Sequence, residues 1–342
     1  MKAREAAGRG HAGFVMAIIL VAAGMLAAQG GMWAAPQDAK DLAQQIFELM
    51  SHAPGAKHGY RAVHAKGIVC EGRYTPSGDA ANFSRAAHFQ GAAVPVTVRF
   101  SDGGADPAVA DGSPDARPRG MGIEFKLRGG KSTFIVAISH NGFIVGTGEE
   151  FLALQKAIVA TDPSKPHPWP IEAFLGSHPR ALKFVQELKG TPESFATEAY
   201  YGNNAFRFVN ADGKKQAGRY FIIPVAGQHY LDDAAAKAAA PNFLSDELRA
   251  RLAKGPAKFK LLVQVAEPGD PTDDGSLVWP EERKKVDMGV ITITSAVADS
   301  AAAEKDLLFD PAQLTDGIEL GDDPLPALRS EVYMLSFMAR TE

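Results

Sequence analysis

The chain has 342 residues, 46% of them hydrophobic, with a net charge of −4 and one cysteine. This composition is that of a globular chain with one large core or two ordinary ones, and it excludes a disordered tail protein. With no run of Lys and Arg there is no basis for neutralising nucleic-acid phosphates, and the single Cys70 excludes an intrachain disulfide.

Residues 1–35 stand apart from the rest. Lys2, Arg4 and Arg9 precede an uncharged run from Ala12 to Ala28, with small residues through Ala35, as in the charged and apolar regions of a secretory signal. The apolar run is just short of a comfortable membrane span, so two readings stand. One is a cleaved signal, placing the protein in the periplasm or otherwise outside the cytoplasm. The other is a retained anchor tethering it to a membrane. Residues 36–342 then form one exported domain. Cys70, inside an apolar strand, reads as a small packed side chain, because nothing near it would favour a thiolate.

The domain opens on a short helix, Lys40 to Met50, and then reads as strands through most of its middle. The runs are Ala62–Tyr74, Val94–Phe100, Met121–Leu127, Thr133–Ile138, Ala205–Asn210, Arg219–Pro224, Lys258–Ala266 and Met288–Thr294. In "VPVTVRFS", Val96, Val98 and Phe100 share one face while Thr97, Arg99 and Ser101 share the other. Asp212-Gly213 stands in the turn of a hairpin. Eight antiparallel strands predict a closed barrel, which removes its own edges. Helical insertions fall at "IEAFLGSHPRALKFVQELKG" and "LDDAAAKAAAPNFLSDELRARLAKG", the second divided by Pro241. The fold class is α+β: a closed antiparallel eight-stranded β-barrel with helical insertions and a C-terminal helix.

That last helix, Pro326 to Thr341, carries the clearest chemistry. At about 100° per residue, Arg329, Tyr333 and Arg340 lie within roughly 40° of one another. Val332, Leu335, Phe337 and Met338 surround them, so the helix reads as buried on most sides, and buried guanidiniums need anionic partners. An arginine one turn from a tyrosine stabilises the phenolate, which lets the oxygen ligate a ferric ion.

Here the chain resembles the haem catalase family, and more closely its short branch of catalase-related peroxidases. Arg329 and Tyr333 match the proximal R-x-x-x-Y, and Arg340 matches an arginine that binds a haem propionate. In "RAVHAKG", Arg61 matches a second propionate arginine, Val63 the floor of the channel and His64 the distal histidine. "VRFS" is similar to the next motif, giving Arg99 to a propionate and Ser101 to a hydrogen bond with the histidine. "RPRGMGIEFKL" and "LVWP" also match. These motifs run in family order from about Tyr60 to Arg340.

The resemblance implies a barrel of catalase type and a haem b whose iron has Tyr333 as its protein ligand. It implies a peroxide and a small organic donor as partners, in defence against oxidative stress. The distal amide departs from the pattern: "ISHNGFIVGTGEEF" stands where the family has Asn-Thr-Pro, with Asn141 as its counterpart and Ser139 as the alternative. The chain stops two residues after Arg340, which by analogy implies a more open site and a smaller oligomer such as a homodimer. The reading is a haem peroxidase acting on hydrogen peroxide or organic hydroperoxides, with weak catalase activity. Its alternatives are a true short catalase, a fatty-acid hydroperoxide isomerase on the same fold, and a non-enzymatic haem or lipid carrier. Strict alternation would put Arg61 and His64 on opposite faces of one strand, so a bend or bulge is expected between them.

Overall fold

The computed structural model describes residues 39–341, so the signal or anchor segment lies outside the described residues. Eight strands form the barrel: β1 Gly67–Pro76, β2 Val94–Ser101, β3 Gly120–Lys126, β4 Ser132–Ile138, β5 Tyr200–Val209, β6 Lys215–Pro224, β7 Ala257–Val265 and β8 Lys285–Ala296. Their order is β4-β3-β2-β1-β8-β7-β6-β5, every pairing is antiparallel, and Ile138 of β4 meets Tyr201 of β5 to close the ring. A three-residue strand, β9 Ile318–Leu320, lies against β5 beyond that closure. The hairpin turn between β5 and β6 has Gly213 at φ +79°, a conformation glycine adopts without steric cost.

Alternation fills the barrel as the sequence requires. Val96, Val98 and Phe100 point inward with Ile123, Phe125, Phe259, Leu261 and Ile291, all essentially buried in one cluster. Each such side chain contributes about 1.5–3 kcal/mol of transfer free energy. Cys70 belongs to the same cluster, and burial pushes its thiol up to about 12, as expected of packing rather than chemistry.

The opposite face of β2 is also buried, because the helices cover it. The main ones are α1 Ala39–Ser51, α2 Gly148–Ala160, α3 Pro170–Ser177, α4 Pro179–Glu187, α5 Phe243–Lys254, α6 Ser300–Glu304 and α7 Leu325–Thr341. The break before α4 falls at Pro179, and a short helix, Asp233–Ala238, precedes α5 across Pro241, as the prolines predict. Leu42, Ile46 and Met50 of α1 pack with Leu152 of α2 and Val332 of α7 in a separate apolar cluster. The proximal helix is therefore pinned to the rest of the fold by one face, while Met334 and Met338 remain exposed on the other. The sequence reading had this helix buried on most sides; the two methionines correct it.

A second correction concerns the first strand. β1 begins at Gly67, not Ala62, and the irregularity expected between Arg61 and His64 is a bend at residues 62–64 that precedes the ladder. His64 sits before the strand with φ +53°, the left-handed region that a non-glycine residue adopts only when its surroundings enforce it.

Candidate active site

One row of paired residues marks the mouth of the barrel. Gly67 of β1 pairs with Ser101 of β2, Ser101 with Gly120 of β3, Gly120 with Ile138 of β4, and Ile138 with Tyr201 of β5. One step inward, Arg99 pairs with Gly122 and Gly122 with Val136. Arg99, Ser101, Gly120, Gly122, Val136 and Ile138 all line a cavity of about 290 Å³ on the outer face of the barrel. The same cavity is lined from the other side by Arg329, Tyr333 and Arg340 of α7 and from the loop before β1 by Arg61, Val63 and His64.

On the distal side His64 is held at one ring nitrogen. Nδ1 lies 2.8 Å from the Asp102 carbonyl oxygen and 3.2 Å from Ser101 Oγ. A carbonyl only accepts, so Nδ1 carries the proton and Nε2 keeps its lone pair. Burial brings the imidazole down to about 4, and the charges of Arg99, Arg329 and Arg61 push the same way against the hydrogen bond to Asp102. His64 is thus a neutral base across the physiological range. The loop is tied down by Arg99, whose Nη2 donates to the His64 carbonyl at 2.9 Å. Behind it the buried Asp102 carboxylate takes a hydrogen bond from Arg119 Nη1 at 2.7 Å and faces Lys66 at 3.6 Å.

On the proximal side Arg329 Nη2 donates to the Tyr333 phenolic oxygen at 2.9 Å. Its other terminal nitrogen donates to Asn204 Oδ1 at 2.7 Å, and Asn204 Nδ2 donates to Asp323 Oδ2 at 2.8 Å. Asp323 Oδ1 accepts from the Leu325 backbone N–H at 2.8 Å, at the start of α7. A buried carboxylate therefore orients an amide, the amide a guanidinium, and the guanidinium the phenol. Asn204 and Asp323 were not found in the sequence; their roles exist only through pairings more than a hundred residues apart.

The third wall is cationic. Arg61 and Arg340 both donate from Nη2 to the Leu307 carbonyl, at 2.8 and 2.6 Å, and Arg99 Nη2 lies 3.0 Å from Glu304 Oε2. Glu304 also faces Arg61 at 4.0 Å. The Nε–H of each of the three arginines is buried without a hydrogen-bond partner among the described residues. Burial and mutual repulsion hold Arg61 well below the ordinary guanidinium value, and burial brings Arg340 down to about 10. Three cations against one carboxylate leave two positive charges uncompensated. A flat group with two carboxylates and an iron at its centre fits this arrangement: propionates beside the arginines, and the metal beside Tyr333.

His64, Ser101, Arg61, Val63, Arg99, Arg329, Tyr333 and Arg340 are thus brought together as the sequence predicts. Asn141 and Ser139 are not. β4 ends at Ile138, which lines the cavity, and the chain then turns away. Ser139 is buried with its Oγ accepting from the Arg119 N–H at 2.9 Å, and neither it nor Asn141 contributes to the wall. His140, between them, is buried against Phe184 with Nδ1 3.0 Å from the Gly142 carbonyl.

Similarity to known proteins agrees with this geometry. A sequence profile of the family described as Catalase matches residues 37–341. A catalase-related peroxidase of Mycolicibacterium paratuberculosis is 38% identical over 300 residues, covering 87% of this chain and 94% of that protein. Another from Synechococcus elongatus is 32% identical over 301 residues, covering 87% of this chain and 88% of the relative. Among solved structures, a fungal catalase superposes with a TM-score of 0.73 at 20% identity, covering 93% of this chain and 66% of its own. A bacterial catalase gives 0.74 at 19%, covering 92% and 63%. The chain spans somewhat less than two thirds of those two solved chains.

Proposed function

The chain belongs to the catalase family, and we propose that it is a haem peroxidase that reduces hydrogen peroxide or organic hydroperoxides at the expense of a small organic donor. The observation that carries this reading is the opposition of two prepared groups in one cavity. On one side is a histidine with a free Nε2, and on the other a tyrosine whose oxygen accepts from an arginine.

Haem b would be held by Tyr333 at the iron and by Arg61, Arg99 and Arg340 at the propionates through charge-assisted hydrogen bonds. When bound, it supplies the redox centre at which the O–O bond is cleaved heterolytically. The residues of the chain manage protons and charge. His64 Nε2 takes the proton from one peroxide oxygen and returns it to the other, which leaves as water or an alcohol. Asp102 and Ser101 keep the second nitrogen fixed, so the ring presents the same lone pair in each cycle. Arg329 orients the Tyr333 oxygen by its hydrogen bond, and Asn204 and Asp323 keep Arg329 in place. A carrier of haem or lipid would have no use for the free Nε2.

The absorption spectrum of purified protein, with its Soret and charge-transfer bands, tests the cofactor. Peroxide-dependent oxidation of an aromatic donor tests the reaction. A protein purified with haem that oxidises no donor on addition of peroxide overturns the reading. Export rests on the pattern of residues 1–35 and would be tested by fractionation; a cytoplasmic full-length chain overturns it.

A further inference from the structure

Every polar side chain that lines the cavity, with one exception, makes at least one hydrogen bond within the protein. Arg61, Arg99 and Arg340 form the cationic wall, and Arg329 holds Tyr333. Ser101 meets His64, and Ser336 Oγ accepts from the Ala62 N–H at 3.1 Å. The exception is Gln155 of α2. It is 8% exposed and lines the cavity, and no hydrogen bond or ion pair engages its carboxamide among the described residues.

The carboxamide is not among the fully enclosed polar atoms that lack a partner, so it remains accessible from the cavity that Gln155 lines, where a leucine would offer a ligand no hydrogen bond. Phe143, Ile144, Phe151 and Phe184, which also line the cavity, are apolar, so the protein offers this amide nothing there. Ile138 at the end of β4 leaves the distal wall without the amide that the sequence assigned to it. From these observations we infer that Gln155 is a specificity-determining residue. Its carboxamide hydrogen-bonds to the oxygens of the hydroperoxide, while the aromatic side chains hold any organic portion. This rests on the peroxidase reading and extends it to the residue that captures the substrate.

The test is Gln155→Leu, with Gln155→Met as a second variant of similar reach should leucine disturb the packing of α2. Hydrogen peroxide has only its oxygens to offer, so its KM should rise about tenfold with kcat nearly unchanged. Cumene hydroperoxide, held also by its ring, should lose roughly threefold or less. Cyanide, read by the Soret shift without turnover, should bind several-fold more weakly. A hydrogen-peroxide KM within twofold of wild type in whichever variants retain wild-type haem content and melting temperature overturns the inference. If wild-type protein with haem bound oxidises no donor, the peroxidase reading itself has failed; an active wild type with indifferent variants sinks only the role of Gln155.

Discussion

Gly120 stands directly behind the distal histidine: a Cβ built on it would lie 2.9 Å from His64 Nδ1 and 2.5 Å from Ser101 Oγ. These are closer than real side chains approach. Any larger residue must displace the Ser101 hydroxyl and crowd the imidazole, and the glycine is needed for this contact rather than for a special backbone angle. Gly120→Ala should therefore keep its haem yet lose about tenfold or more in the rate of the spectral change that follows mixing with peroxide. His64→Ala should lose on the order of a hundredfold, the usual worth of a positioned acid–base group. Stopped-flow traces of Gly120→Ala that overlay wild type would show that the ring is positioned by something else.

The pH dependence of the same step follows from burial. His64 has its proton affinity brought down to about 4 from an ordinary value near 6.5. Protonation removes the lone pair that serves as base, so the rate should stay level from neutral pH to about pH 5 and fall through about pH 4. The sign for stability is set by the unfolded chain, which binds a proton at 6.5 that the native imidazole refuses. This residue therefore destabilises the fold as pH drops below 6.5. An acid limb centred between pH 6 and 7 would show a solvated imidazole.

The cationic wall predicts effects of opposite sign with and without cofactor. Arg61 is buried beside Arg99 and Arg340, with Glu304 as the nearby carboxylate. Arg61→Gln should relieve repulsion and raise the melting temperature of haem-free protein. It should also weaken haem binding by about tenfold or more, as expected for one charge-assisted hydrogen bond. Haem titration and thermal melts on one preparation settle it; a parallel fall in both would mean that Arg61 serves packing and not the carboxylates.

Much of this site was legible because alternation is a local property. Arg99 and Ser101 could be placed on one face of "VPVTVRFS" and Val98 and Phe100 on the other without knowing what covered either. The arginines and tyrosine of α7 fell on one stripe by helical geometry alone. What alternation could not give was the course of the chain just past a strand. The sequence ends the strand at Ile138, as β4 does; Asn141, past that end, rests only on a match to the family's asparagine, and it does not line the cavity. α2 was missed although Thr147 and Glu150 mark its start, with Thr147 Oγ1 accepting from the Glu150 N–H and Glu150 accepting from the Gly146 N–H. That short capping signal was passed over, and the segment was assigned no element. Glu304 and the Leu307 carbonyl could not have been found, since nothing in their own segment is unusual.

The proximal assignment rests on one oxygen. Tyr333→Phe removes it and leaves Arg329 hydrogen-bonded to Asn204 but facing a ring edge. Haem retention should fall severely, or the ferric spectrum should shift to another coordination. Arg329→Leu should keep the ligand oxygen but lose the hydrogen bond that orients it, giving partial haem retention. An unchanged ferric spectrum in Tyr333→Phe would remove Tyr333 from the metal.

Partition between donor oxidation and oxygen release should depend on the wall at Ile138. Two oxidising equivalents left by the first peroxide are consumed either by a donor or by a second hydrogen peroxide. Using a second peroxide requires holding a small, wholly polar molecule against a surface that contains Ile138, Val136 and Phe143. A branched aliphatic side chain gives it no hydrogen bond and favours larger, apolar donors. Ile138→Asn places a carboxamide one strand from Gly120, and so beside the histidine that Gly120 contacts. The side chain is half-buried, so the substitution should cost about 1–2 kcal/mol of stability and leave the barrel closed. Oxygen evolution relative to aromatic-donor oxidation should rise several-fold, measured by oxygen electrode and dye assay on the same sample. A ratio unmoved in folded, haem-loaded Ile138→Asn would show that the polarity of this wall does not decide which reductant wins.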